Sequence, residues 1–281
     1  MARKRPTLTD LLNDLTARIL YDKFKLIAIN EFKWNGLPEG IEEKYIETRL
    51  FDFGKAIFFK DPAMSYMCLE AQGLGKLNPY GEELKWRAFG MNYSKVYNAD
   101  DCVIIDNNKL RMATRDVIMF YVNKLTEAER TMDVNVKSVK TPIVFACDQN
   151  DVLTFKRIFQ QVDGNVPAIF ADRNLSMESI QAFDTKAKFM GNELMDYKKS
   201  VENELLTFLG FNNLAVDKKE RLITDEANSN NELIESFADL QLESRQKACE
   251  AINELYGLNI SVERRQNNVE GVDNNVDNTN V

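Results

Sequence analysis

Residues 192–230 constrain this chain most: a helix-forming stretch ends in glycine and a long polar segment follows it. Leu194, Val201, Leu205 and Phe208 fall seven, four and three residues apart, which places them in one narrow apolar stripe on a helix. Lys198 interrupts the stripe where a strict heptad would carry an apolar residue. Gly210 stands where a helix needs a left-handed end. At 1.5 Å per residue the helix is about 27 Å long. Beyond it, Lys218, Lys219, Glu220, Arg221, Asp225 and Glu226 crowd a segment too long for a simple turn. A polar loop of this length inside a compact chain is usually functional or disordered. The expected arrangement is a helix that lines a channel and a loop that hangs into it.

A second helix of the same kind is predicted from Thr114. Ile118, Val122, Leu125, Met132 and Val136 repeat at four, three, seven and four. A narrow stripe packs against one or two neighbours and is not buried all round. Between the two helices lies an insert. Residues 143–146 read as a strand, Thr154 caps a helix through Val162, Gly164 stops it, and Ala168-Ile169-Phe170 reads as another strand. That is a β-α-β unit of about thirty residues. It is too small to bury its own core, so it is expected to pair with copies of itself in neighbouring subunits.

Composition narrows the chemistry. Of 281 residues 44% are hydrophobic and 28% charged, the profile of a globular chain. The net charge of −8 argues against a protein that coats nucleic acid along a broad basic face. It leaves room for one that lets nucleic acid slide past. No histidine is present, which removes the commonest general base and the usual hydrolase triads. Cys68, Cys102, Cys147 and Cys249 are far apart and form no CxxC pair, so a metal site has almost nothing to build from. Free thiols in a reducing compartment are expected. Neither GxxxxGK[ST] nor GxGxxG occurs, so no phosphate cradle or cofactor site is visible. No apolar run approaches the ~20 residues of a membrane span, and MARKRPTLTD lacks the apolar core of a secretory signal. The composition points to a structural or mechanical role and away from an enzyme.

The rest of the chain falls into blocks. Arg3, Lys4 and Arg5 form a basic arm before Pro6, a candidate phosphate contact through counterion release. A helix begins at Leu8, with Thr7 and Asp10 arranged like a capping box, and Gly36-Leu37-Pro38 is expected to end it. Residues 39–112 carry short apolar runs and turn residues. Trp86, Phe89, Tyr93, Val96, Tyr97 and Val103-Ile104-Ile105 read as strands divided by turns such as Asp106-Asn107-Asn108. A short helix is expected around residues 62–70. After the loop, residues 233–256 read as helix with Ala248, Ile252 and Leu255 inward, and Gly257-Leu258 as its Schellman ending. Ile260 and Val262 suggest one short strand. The final residues are rich in Asn and Asp and are expected to be disordered.

Read together, these blocks resemble a known family. Phe208-Leu209-Gly210, Lys218-Lys219-Glu220-Arg221, Thr224-Asp225-Glu226, Ser229-Asn230, Ala248-Cys249-Glu250 and the run Ile252-Asn253-Glu254-Leu255-Tyr256-Gly257-Leu258-Asn259 are similar to the upper collar protein of small short-tailed phages with protein-primed genomes. That family is also called the connector or portal protein. Met1 to Arg5, the run FFKDP at residues 58–62, Lys140-Thr141-Pro142 and Gly164-Asn165 through Ala171 match it in the same order. None of these motifs is catalytic, so specificity comes from many short matches in register.

The resemblance implies an α+β portal fold with long stem helices, an SH3-like β wing and a small β-α-β clip, assembled as a twelve-subunit ring around a central channel. The blocks become a basic arm and first helix (1–38), wing (39–112), stem helix (113–140), clip (141–191), second stem helix (192–210), tunnel loop (211–231), wide-end helix and strand (232–264) and tail (265–281). The implied partners are double-stranded viral DNA, capsid and scaffold proteins, the packaging ATPase, the lower collar or tail protein and, through Arg3, Lys4 and Arg5, a packaging RNA. The implied place is the virion, at the capsid vertex of the head–tail junction, after assembly in the bacterial host cytoplasm. Lys218, Lys219 and Arg221 become the tunnel-loop contacts to DNA. Family members can carry channel-wall lysines between clip and stem. Here Asp184 stands at such a place, leaving Lys186 and Lys188 as the channel-wall candidates. Two rival readings stand beside it: a head–tail adaptor or other structural ring protein without a packaging role, and a metal-dependent nuclease built on Asp100-Asp101 or Glu42-Glu43.

Overall fold

The computed structural model describes residues 8–140, 143–146, 181–184, 188–211 and 224–265, with side chains for 14–139, 188–211 and 232–265. Two compact units divide them, residues 127–199 and the remainder of the chain.

In the larger unit, helix α1 (Leu8–Ile29) is followed by a four-residue strand, β1 (Phe32–Asn35). The first helix therefore stops at Ile29 and does not reach the expected end at Gly36-Leu37-Pro38. The reason is a partner distant in sequence. β1 pairs antiparallel with β9 (Ser261–Arg264), setting Trp34 opposite Val262 and Phe32 opposite Arg264. Phe32 and Trp34 turn inward while Lys33 faces water, the two-residue period of a half-buried strand.

Helix α2 (Glu43–Phe53) comes next and ends at Gly54, whose φ of 74° and N–H donating to the Leu50 carbonyl close the last turn. Then come β2 (Lys55–Asp61), β3 (Ser65–Gly73), β4 (Lys85–Gly90), β5 (Tyr93–Asn98), a 3-10 turn at Ala99–Asp101 and β6 (Cys102–Asp106). The strands order as β5-β4-β3-β2-β6, with every neighbouring pair antiparallel. Four strands meander, and the fifth returns through a 3-10 turn to flank the first. That is SH3-like connectivity, as expected. Ser65–Gly73 is strand where a short helix was expected, and the helix of this lobe lies earlier, at Glu43–Phe53. The Asp61 carboxylate accepts the N–H groups of Ala63 and Met64, and Ser65 takes a positive φ of 66°. The chain thus turns back as a hairpin before a helix can start.

β2 explains the run Ile57-Phe58-Phe59. Ala56 and Phe58 enter one core with Phe32, Leu50, Cys249 and Ile252. Ile57 and Phe59 enter another with Trp86, Ala88 and Tyr97. A strand apolar on both faces is one with a core on each side.

Helix α3 (Thr114–Lys140) begins where expected. Ile118, Val122 and Leu125 pack with Phe24, Phe51, Val201, Leu205 and Leu209 in a third core. Helix α4 (Gly191–Phe208) supplies Val201 and Leu205, Leu209 follows directly after it, and Gly210 has the predicted left-handed φ, 76°. Helix α5 runs from Thr224 to Tyr256. The polar segment is therefore helical from Thr224, where a loop through residue 231 was expected. The sequence reason is Thr-Asp-Glu: a capping residue followed by acids suits a helix N-terminus. Gly257 closes α5 at φ 67°, donating its N–H to the Asn253 carbonyl. Leu255 faces water at 44% exposure, and Cys249 takes its place beside Ala248 and Ile252 in the core.

In the smaller unit β7 (Ile143–Ala146) pairs antiparallel with β8 (Gln181–Asp184). The expected helix at 154–162 and strand at 168–170 lie outside the described residues, as does the tail from residue 266.

Candidate functional site

α5 carries one buried stripe, Ile234, Ala238, Gln241, Arg245, Ala248, Cys249 and Ile252. Its spacing is that of a helix packed on a core, yet its middle holds a guanidinium. Arg245 is almost fully buried and so must spend every donor inside the protein. It does. Nε and Nη2 grip the Glu47 carboxylate of α2 at 2.9 and 2.8 Å. Nη2 also donates to Asn107 Oδ1 at 3.0 Å, and Nη1 to the Asn107 and Gln241 carbonyls, both at 3.1 Å. Its flat face lies 4.2 Å from the Phe32 ring centre, where cation–π attraction adds to burial. Glu47 accepts a further bond from Trp34 Nε1 at 2.9 Å.

Asn107 carries the arrangement onward. Its side-chain amide donates to the Met112 carbonyl and to Thr114 Oγ1, both at 2.9 Å, and its N–H donates to the Gly54 carbonyl. One network therefore fixes α5, α2, β1 and the first residue of α3. A bidentate, fully hydrogen-bonded pair of this kind is directional, and it sets helix positions rather than merely gluing them.

A second buried charge has no such company. Glu31, between α1 and β1, is 3% exposed, and its Oε1 has no hydrogen-bond partner. Arg264 Nε lies 3.9 Å from that oxygen, beyond hydrogen-bond reach. The Arg264 Nη2 donates to the Gly210 carbonyl at the end of α4. Burial pushes the Glu31 carboxyl up to about 8, against the lowering pull of Arg245 and Arg264.

In the smaller unit Lys198 pairs with Glu129, joining α4 to α3. This explains the interruption of the apolar stripe: the lysine faces the partner helix and finds a carboxylate there. Asn135 holds the start of α4 by donating to the Lys188 carbonyl at 2.8 Å and accepting the Met190 N–H at 2.9 Å.

The expected contact residues stand as follows. Lys188 is exposed just before α4. Arg3, Lys4, Arg5, Lys186, Lys218, Lys219 and Arg221 lie outside the described residues. Asp101 accepts from Asn98 at 2.9 Å, and Glu43 pairs with Arg265 and accepts the Trp34 N–H, so both have structural work. Among the described residues no group of three or more acids or cysteines is placed to hold a metal. Cys68, Cys102 and Cys249 are free and buried, and burial pushes each thiol up to about 12. Glu31, Glu47, Asn107, Arg245 and Arg264 were not anticipated. Only Arg245 and Gln241 left a trace, as polar residues at inward positions of a helical repeat.

Three solved structures are similar to this architecture. The portal and tail of native bacteriophage P68 match over 96% of this chain and 94% of that one, with a TM-score of 0.52 at 14% identity. An HK97-family phage portal protein from Corynebacterium diphtheriae matches over 94% of this chain and 96% of its own, at 0.46 and 12% identity. The virion of a native gene transfer agent particle matches over 90% and 80%, at 0.46 and 8%. The fold is thus that of a phage portal protein, a class the P68 match defines. Residues 13–269 match the family described as Phage Connector (GP10). The chain belongs to that family.

Proposed function

We propose that copies of this chain form a ring at one capsid vertex, a passive conduit for double-stranded DNA that also docks capsid, scaffold, packaging motor and tail. Membership of the connector family over residues 13–269 is the observation that carries this reading. The long helices α3 and α4, of 27 and 18 residues, supply stem-like elements, and the antiparallel lobe supplies a wing. Twelve copies are proposed, as is a separate ATPase chain that drives the DNA. Lys218, Lys219 and Arg221 are the proposed DNA contacts, Lys186 and Lys188 the proposed channel-wall lysines, and Arg3, Lys4 and Arg5 the proposed arm for a packaging RNA. Repetition around a ring gives physical sense to a chain of net charge −8. A mostly acidic wall repels DNA, and a few cationic rings give local, salt-screened attraction without a deep trap.

Electron microscopy of the purified chain, with two-dimensional class averages, tests this. A twelve-fold ring with a central hole is expected. A chain that stays monomeric or dimeric even with capsid and scaffold proteins present overturns it.

A further inference from the structure

Among the described residues the end of α4 is tied to β9. Gly210, next but one after Phe208, offers its carbonyl to Arg264 of β9. It has no room for anything larger: a Cβ there would lie 2.7 Å from Ala238 Cβ of α5 and 3.1 Å from Glu31 Oε1. So Glu31, Gly210, Ala238 and Arg264 meet in one tight contact.

The carboxyl in this contact is badly placed to carry charge. It lies beside the C-terminus of α4, where unpaired carbonyls already concentrate negative potential. From α2, Glu47 adds further repulsion, while Arg245 of α5 and Arg264 of β9 attract. Arg245 has all five donors committed to Glu47, Asn107 and Gln241 and cannot turn. Arg265 gives its backbone N–H to the Glu31 carbonyl, and its side chain is paired with Glu43. Among the described residues Arg264 is therefore the neighbouring cation that could reach a Glu31 carboxylate, across a gap of 3.9 Å.

We infer that Glu31 and Arg264 form a proton-operated latch on the C-terminal end of α4. With a proton on Glu31, the carboxyl is neutral and Arg264 serves the Gly210 carbonyl, the arrangement seen here. When the proton leaves to solvent, the buried carboxylate needs a charged donor. Arg264 closes on it and withdraws from Gly210, and the last turn of α4 loses its tie to β9. Burial raises the proton's release to about pH 8, so the latch responds in a range that solution conditions reach. The inference concerns one chain and does not rest on ring formation.

Hydrogen exchange of the full-length chain tests it at the amides of Leu209, Gly210 and Phe211, which donate to the Leu205, Thr207 and Leu206 carbonyls. Rates are corrected for the intrinsic pH dependence of exchange. From pH 6.5 to 9.5 the wild-type protection of these amides should fall on the order of tenfold. Glu31→Gln, isosteric and permanently neutral, should hold full protection across the range. Arg264→Gln should show the low value at both ends. Protection that is flat with pH in the wild type, or a Glu31→Gln chain that keeps the wild-type fall, overturns the latch.

Discussion

Glu31 and Asp61 are both largely buried carboxyls, and they respond to pH in opposite directions. Glu31 keeps its proton in the folded chain up to about pH 8, against an ordinary value of 4.5. Between those values the native state binds more protons than the unfolded chain, so stability falls as pH rises through that window. Glu31→Gln removes the slope. Its melting temperature should match wild type near pH 4 and exceed it at pH 9, by up to about 5 kcal/mol in stability. Asp61 is the reverse case. The Ala63 N–H first, then the Tyr93 hydroxyl, Lys95 and the Met64 N–H, hold it down to about 2 from 3.8. Its contribution is present above 3.8 and is lost as pH falls toward 2. Asp61→Asn should therefore lower the melting temperature at pH 7, with a deficit that narrows below pH 4. Arg245 has a larger stake. Arg245→Ala leaves the Glu47 carboxylate buried without its cation, an expected loss of about 3–5 kcal/mol in urea unfolding. The double change Arg245→Met with Glu47→Leu should recover much of it, because no charge is then stranded. These residues were legible to different degrees. Gln241 and Arg245 recur in step with Ile234, Ala238, Ala248 and Ile252, so a buried polar centre could have been read from the period. Glu31 gives no such sign, because its burial comes from residues 210, 238 and 264 converging on it.

At the scale of elements, legibility followed the range of the forces involved. α3, α4, β4, β5 and β6 have strong periods and clear punctuation, and their signals sit within the element itself. β1 has only four residues, and the partner that makes it a strand begins at Ser261. No local window contains both. β3 reads as helix from the sequence because its decisive feature is the Asp61 turn before it, held by side-chain bonds to Ala63 and Met64. Gly210 is the opposite case, since chain punctuation alone marked it as a left-handed end. Its role can be tested directly. Gly210→Ala combines a φ of 76° with a Cβ 2.7 Å from Ala238 Cβ. The left-handed strain and the clash should together cost about 2 kcal/mol or more. Ala238→Gly in the same chain should return part of that loss if the clash contributes, and a double variant no better than the single would assign the whole cost to the backbone.

For the whole molecule, charge is the quantity that separates a conduit from a nucleic-acid binder. The chain has 44 acidic and 36 basic side chains, and many of the cations described here are committed. Lys23 faces Glu202, Lys25 faces Asp52, Lys95 faces Asp61, Lys198 faces Glu129 and Arg245 faces Glu47. On the proposed reading, attraction for DNA comes from few residues, multiplied by copy number. The proposed ones are Lys218, Lys219 and Arg221, in the segment between α4 and α5. Neutralising all three is the test. Ring assembly should be intact by microscopy. Retention of packaged DNA should drop, and the salt dependence of DNA binding should become shallower by about one log unit of slope per lost phosphate contact. A normal yield of full, stable heads with an unchanged salt slope would mean that the grip on DNA lies elsewhere, with Lys188 and Lys186 the next to change. Loss of rings along with loss of DNA would instead make this segment part of the subunit contact and not the lining of the channel.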